Sequence, residues 1–340
     1  MRMRQATLAA LEAWGIEPAA LAPLAGGAVN EHWRVEAAAG PLVLRRYHRT
    51  HAREATPYEH ALLRYLDGNG WPVAAPLSTP AGETTVEAGG GRWALFPFLP
   101  GAPLADSPRA LQRMGALLAL LHADLAAWPG AAEQRPTFGR VTDLDLYLRT
   151  RGTTTVAELL DRVARGDAAR AESLRGIRER NVVALDLLGY GALPDTVVHY
   201  ECLGANVLFE GDEVTGILDF DFAHRDARAA DIARSLAVEC GTDGERIQRW
   251  LGGYAAHAEP PLAASELDVV ASLMIASEIW NATIPLALAL ADEPRGGCGS
   301  RELPAAVRRS IDERLPALEM AQPALRRAIR SGAASRRGAD

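Results

Sequence analysis

The spacing of apolar residues changes period twice along this chain. Residues 5–14 repeat at helical spacing and predict a short amphipathic helix. From Leu21 to Tyr47 the spacing shortens to that of strands. Val29, Trp33 and Val35, then Leu42, Val43 and Leu44, fall between the turn formers Gly26 and Gly27 and the break at Ala38 to Gly40, which predicts two or three strands. Tyr58, Ala61, Leu62, Tyr65 and Leu66 share one face of a helix expected from Pro57 to Gly68. Residues 72–77 and 84–98 read as further strands around the turn Pro80-Ala81-Gly82. After Pro100 and Gly101 the helical period takes over, at 109–127, 141–150, 154–164 and 168–189. Strands return at 196–200, 206–210 and 214–219, and the chain from about Asp231 reads as helical.

This order predicts an α+β protein. A β-rich N-terminal domain over 1–100 precedes a mainly helical domain over 101–330 with a small embedded sheet. The last ten residues, 331–340, are small and charged and predict a disordered tail. A cleft between two such lobes is a usual place for a small ligand.

Composition narrows the classes. With 340 residues, 48% hydrophobic and 23% charged, the chain can bury a sizeable core. A net charge of −7 argues against a nucleic-acid partner, which selects a basic face. The run RRYHRTHARE, Arg45 to Glu54, is a local exception, readable as a solvated loop or as a phosphate-facing edge. All 36 basic residues are arginine, so any phosphate contact usually made by lysine must here come from a planar guanidinium. Cys202, Cys240 and Cys298 are scattered and form no CxxC, which predicts neither a disulfide framework nor a zinc site and fits a cytoplasmic protein. The N-terminal MRMRQATLAALEAWG is too polar for a signal peptide. The longest apolar stretch, from Leu273, carries Glu278 and Asn281, so a core helix is expected there and no membrane span.

Oxygen-bearing side chains gather between Val197 and Asp226, in VVHYECLGANVLFEGDEVTGILDFDFAHRD. Asn206 precedes the apolar VLF, and Asp219 follows VTGIL. A hairpin through Glu210-Gly211-Asp212 would put both at its open end. Hard oxygens of this kind suit magnesium. Glu201 adds a carboxylate five residues before Asn206. Metal ligands, a group that orients a hydroxyl, and positive charge on the phosphates are what phosphoryl transfer requires.

The spacing H-x-[acid]-x-x-x-x-N, followed by I-L-D-F-D, resembles the aminoglycoside phosphotransferase, homoserine kinase and choline kinase group, whose fold is related to protein kinases. The form in that family is H-G-D-x-H-x-x-N and then I-D-[WF]-[DE]. His199, Asn206, Asp219, Phe220 and Asp221 match it. The resemblance implies a two-lobed protein-kinase-like fold with ATP and Mg2+ as cofactors. It implies an acceptor hydroxyl on a small metabolite, amino alcohol, sugar or antibiotic. It gives Asn206 and Asp219 the role of magnesium ligands, leaves Asp221 as a ligand or a neighbour of ligands, and makes Asp231, in AADIARSL, structural. Upstream, LAGGAVNEHWRV, with Gly26 and Gly27, is similar to the hairpin that covers the phosphates. LVLRRY puts Arg45 where the family has its phosphate-contacting cation, and Glu59 in PYEHALLRYL where it has the paired acid. ALFPFLPG, with Phe96 and Phe98, looks like the hinge whose backbone binds adenine. MGALLALLHADL looks like the helix that opens the second lobe.

Three positions depart from the pattern. Tyr200 replaces a glycine, Glu201 the catalytic aspartate, and Leu203 a second histidine. Glutamate keeps the carboxylate but carries it about 1.5 Å further out, one C–C bond. Three readings stay open: an active kinase in which Glu201 orients the hydroxyl, a pseudokinase that binds nucleotide or a partner, and a kinase for Ser or Thr of a natural-product precursor peptide. His199 is a catalytic candidate or a brace for the loop. Cys202 reads as a packed residue. Glu278 and Asn281 are candidates for lining the acceptor pocket or for capping buried contacts, and the helices of 141–190 are expected to help shape that pocket.

Overall fold

Trp33 and Val35, Leu42 and Leu44, and Trp93 and Leu95 recur at every second position on three neighbouring strands, so one face of their sheet is apolar. The computed structural model that shows this describes residues 2–24, 29–150, 155–291 and 303–334. The expected turn at Gly26 and Gly27 lies outside the described residues. The elements run α1 (Arg2–Glu12), β1 (Ala20–Leu24), β2 (Glu31–Ala37), β3 (Gly40–Arg46), α2 (Thr56–Gly68), β4 (Val86–Ala88), β5 (Gly91–Pro97), β6 (Ala102–Pro103) and α3 (Pro108–Ala127). They continue with α4 (Leu144–Thr150), α5 (Val156–Ala164), α6 (Ala168–Leu187), β7 (Thr196–Val198), β8 (Val207–Glu210), β9 (Glu213–Ile217), β10 (His224–Asp226), α7 (Arg228–Glu239), α8 (Gly244–His257) and α9 (Ala264–Ala291). Last come α10 (Ala305–Arg309) and α11 (Leu315–Ala334), joined by a π-helical turn over Ser310–Arg314.

The chain divides into two compact units, 1–103 with 206–218, and 104–205 with 219–340. The first holds an antiparallel five-stranded sheet of order β1-β2-β3-β5-β4. Helix α1 covers the apolar face with Ala6, Ala10 and Leu11, and Trp14 beyond its end joins the same core. The Trp14 indole N–H reaches the Leu77 carbonyl at 3.0 Å, so this bulky ring is buried without losing its hydrogen bond. The expected strand at 72–77 is reduced to one bridge, Val73 to Ile217. Pro72 and Pro76 explain this, because each removes a ladder donor.

The hairpin of β8 and β9 belongs to the first unit, not to the 101–330 domain expected from the sequence. Three contacts bind it there. Phe209 and Leu208 pair with β6, the Ile217 N–H donates to the Pro72 carbonyl, and the Thr215 hydroxyl donates to the Pro100 carbonyl. Gly211 makes the hairpin turn with φ +59°, a left-handed conformation that suits a residue without Cβ.

The second unit is mainly helical, with a two-stranded ribbon of β7 and β10. Helices α3 and α8 touch backbone to backbone at two glycines. A Cβ on Gly115 would lie 2.0 Å from the Trp250 carbonyl oxygen, and one on Gly253 would lie 2.0 Å from that of Gln112. Helix α9 is the apolar stretch singled out above. It is long and apolar enough to cross a membrane by length and composition, but 89% of that window is buried within the protein, as the core-helix reading expects. Ser331–Ala334 are helical as the end of α11, so the first four residues of the expected tail are ordered. Residues 335–340 lie outside the described ones. An antiparallel sheet unit and a helical unit are the α+β class read from the sequence.

Candidate functional site

Helix α7 is the template on which the 199–204 loop is laid. Four polar residues recur along one face of an otherwise alanine-rich helix, at 231, 234, 235 and 239, the spacing that lines up one side of an α-helix. Each grips the next part of the loop. The Asp231 carboxylate accepts the backbone N–H of His199 at 2.7 Å and of Tyr200 at 3.0 Å. An Arg234 guanidinium N–H meets the Glu201 carboxylate at 2.6 Å. The Ser235 hydroxyl donates to the Cys202 carbonyl at 2.9 Å, and Glu239 accepts the Gly204 N–H at 2.8 Å. From the sequence only Asp231 was legible. The signal for the other three was the polar stripe itself.

Asp231 is fully buried and also lies 3.1 Å from the His122 ring on α3. Burial pushes its carboxyl up, but the hydrogen bond and charge of His122, with those of His199, outweigh this and hold it below the usual value. Glu201 goes the other way. Its burial raises the carboxyl pKa and the Arg234 charge only partly offsets the rise. The His199 ring is buried, packs on Phe220 with centroids 4.2 Å apart, and accepts the Glu201 N–H through Nδ1 at 3.0 Å. Through that bond the ring braces the Glu201 backbone. Cys202 is buried and its thiol is pushed well up by burial, which suits a packed residue.

Tyr200, at the position where the resembling family has glycine, has φ +67°, a left-handed backbone. Its ring is fully buried. It lies edge-on to Trp280 at 5.5 Å and to His224 at 5.4 Å, with the Arg234 guanidinium 5.7 Å from its centroid. Packing therefore holds a conformation that the backbone resists. Tyr200→Gly is expected to relieve about 1 kcal/mol of backbone strain but to lose about 3–5 kcal/mol of ring packing. Urea unfolding should show a clear net loss; a stabilised variant would contradict this account.

Asp219 also has a left-handed backbone, φ +66°, and leads into a 3-10 turn over Phe220–Phe222. Asp221 in that turn is buried. A buried cation, Arg135, clamps the turn by donating to the carbonyls of Phe220 at 3.2 Å and Ala223 at 2.7 Å. No local pattern marked Arg135, because its partners lie 85 and 88 residues away. In the first unit, Asn206 stands at the base of the β8–β9 hairpin, where its carbonyl accepts the N–H of Leu218 at 2.8 Å. Asp219 is the next residue in the chain.

Within the sheet unit, Arg45 on β3 meets Glu59 on α2 at 2.8 Å, and the Glu59 side chain has no exposed surface. The Arg45 guanidinium also lies 4.8 Å from the Phe96 centroid and donates to the His32 ring at 3.2 Å. Arg34 lies 4.3 Å from the ring of Phe98. Arg45 and Glu59 are thus paired, the contact the resemblance implied; the two hinge candidates pack on different arginines, Phe96 on Arg45 and Phe98 on Arg34. Glu278 and Asn281 sit on α9. Asn281 accepts from Arg234 at 2.6 Å and donates to Glu278 at 3.0 Å, and Glu278 is buried and accepts the Ser310 hydroxyl at 2.5 Å. They connect Arg234 to the π-helical turn.

An antiparallel five-stranded sheet unit and a helical unit, in this chain order, make a kinase-like fold. The chain belongs to the Phosphotransferase enzyme family, which it matches over residues 20–265. It is similar to homoserine kinase of Rhodopseudomonas palustris, 27% identical over 222 residues, covering 64% of this chain and 62% of that protein. Homoserine kinase of Caulobacter sp. (strain K31) is 28% identical over 254 residues, covering 73% of this chain and 74% of that one. The chain thus spans about three fifths of the Rhodopseudomonas relative it matches. Among solved structures, the microcompartment-associated aminopropanol kinase superposes with TM-score 0.64 at 17% identity over 97% of this chain and 98% of that one. An amicoumacin kinase in complex with AMP-PNP, Ca2+ and Ami superposes with TM-score 0.66 at 15% identity, over 95% and 93%. These likenesses show the kinase-like fold.

Proposed function

We propose that this chain is an ATP-dependent phosphotransferase acting on a hydroxyl of a small molecule, with Glu201 in the place of the usual aspartate. The observation that carries the reading is the loop from His199 to Gly204. Its backbone and its carboxylate are fixed by one helix face, as a group that must orient an acceptor hydroxyl requires. Similarity to homoserine kinases and the fold shared with an aminopropanol kinase support a small acceptor.

The donor set of Asn206, Asp219 and Asp221 is made of hard oxygens and fits a magnesium ion. These residues would hold it, and Arg45, kept in place by Glu59, would face the nucleotide phosphates. When bound, the metal and its nucleotide supply the phosphoryl group and neutralise its charge. The protein's own contribution is to orient the acceptor hydroxyl at Glu201, take its proton there, and keep the loop from shifting. Glu201 is buried and paired with Arg234, which also supports a second reading, a nucleotide-binding chain without turnover.

An acceptor panel separates the two. Homoserine, 1-amino-2-propanol, choline, ethanolamine and an aminoglycoside would each be incubated with ATP and magnesium, and acceptor-dependent ADP release measured. The expected result is turnover with at least one acceptor and a fall of about 10²–10⁴-fold in Glu201→Gln. ATP binding without acceptor-dependent ADP in any case would favour the second reading.

A further inference from the structure

We propose that Arg234 is the positioning residue for Glu201, holding the longer carboxylate on the acceptor side in one fixed place. The proposal rests on the functional reading above and goes beyond it by assigning a residue outside both sequence motifs.

Arg234 is a fixed post. Its guanidinium is nearly buried, donates to Asn281 at 2.6 Å and to Ser277 at 3.3 Å from α9, and packs beside the Tyr200 ring. Asp231, one turn earlier on α7, fixes the loop backbone at His199 and Tyr200. The backbone of the loop and the tip of the Glu201 side chain are therefore referenced to the same helix. A glutamate has one more rotatable bond than an aspartate, and this contact removes that freedom. Two of the three departures from the family motif then become one device. Tyr200 supplies the ring beside which the arginine packs, and Glu201 supplies the carboxylate that reaches it.

The charged and titratable groups around Glu201 define its electrostatics. Among the described residues they include Arg234 and Asp231 from α7, His199, Tyr200 and Cys202 from its own loop, His122 from α3 through Asp231, and Glu278 from α9 through Asn281. Burial favours the protonated form of Glu201, and Arg234 is the cation that opposes it.

The test is steady-state kinetics on the full chain, with ATP, magnesium and the best acceptor of the panel. Arg234→Gln and Arg234→Lys would each be made in the native and in the Glu201→Asp background. With native Glu201, Arg234→Gln should lower kcat by about 100-fold, more than it alters KM for ATP. It should also move the acidic limb of the pH–rate profile upward by about one unit or more, because the carboxylate loses its cation. Arg234→Lys should recover part of the rate. In the Glu201→Asp background the shorter carboxylate no longer reaches Arg234, so the same substitution should change kcat by less than about 3-fold. Equal losses in the two backgrounds, or an unmoved acidic limb, would overturn the assignment and leave Arg234 a structural residue. If Arg234→Gln fails to fold, the lysine variant in the two backgrounds provides the same comparison. An inactive wild type is a different result: it removes the phosphotransfer reading, and this assignment falls with it.

Discussion

Asp219→Asn is expected to lower phosphotransfer by at least about a thousand-fold while leaving the unliganded protein folded. Asparagine is the informative replacement. Residue 219 has a left-handed backbone, which Asn and Asp adopt far more readily than Ala, so the variant keeps the turn and removes the charge. Arg135 holds the neighbouring carbonyls of Phe220 and Ala223 and does not depend on the 219 side chain for those bonds. Urea unfolding without ligand should still show a cooperative transition, so that lost turnover is not lost fold. Magnesium and ATP at about 100 times the dissociation constant should stabilise the wild type by about 2.7 kcal/mol, seen as a rise in melting temperature. The variant should show little of that rise. Retained turnover would remove Asp219 from the metal-binding set.

Asp231→Ala should be the most destabilising substitution in the loop region, at about 3–5 kcal/mol by urea unfolding. The carboxylate is fully buried and serves the backbone N–H groups of His199 and Tyr200 together with the His122 ring. Its removal leaves buried donors without an acceptor. Total stabilities are about 5–15 kcal/mol, so a loss of this size is a large share of the whole. Asp231→Asn, which retains one acceptor oxygen, should lose less. A pH dependence follows from the same site. The folded carboxyl lies below its ordinary value, so the stability it adds is fully present above the unfolded pKa, about 3.9. It is lost as pH falls through the folded pKa. Glu201 acts oppositely. Its folded pKa is raised, so its contribution is fully present below the unfolded value, about 4.3, and is lost as pH rises through the folded pKa. Asp231→Ala should flatten the acid side of a stability–pH curve; an unchanged acid limb would contradict this role.

Long runs of a single period were legible in the sequence. Helices α2, α3 and α6 and strands β2, β3 and β5 lie close to where the apolar spacing put them, because each buries one face against a single core. Short elements were legible in part: β7, β8 and β9 were expected, β10 was not. Strand β10 is three residues long and exists only because β7 pairs with it, and the two prolines near Val73 outweighed an apolar run that looked like a strand. At the candidate site, Glu201, Asn206 and Asp219 were named from contiguous motifs, and the structure pairs Arg45 with Glu59 across 14 residues of sequence. Arg234 and Arg135 were not, since each acts on residues 33 or more positions away through a fold that local spacing does not encode. In the sequence Tyr200 was only a departure from the family's glycine; its positive φ and its packing against Trp280 show why glycine would fit and what the ring does there.

The placement of the β8–β9 hairpin has a consequence for biosynthesis. Residues 206–218 complete a unit whose other part ends at residue 103, so the chain passes between its two units three times. During translation the first hundred residues emerge early, yet the partner of β6 and the donor to Pro72 are still to be made. The sheet unit reaches its finished form only after residue 218 has left the ribosome, when much of the helical unit has already been synthesised. A nascent chain stalled near residue 120 would therefore be more open to proteolysis than one stalled beyond about 260, and no single cut in the chain could release either unit whole.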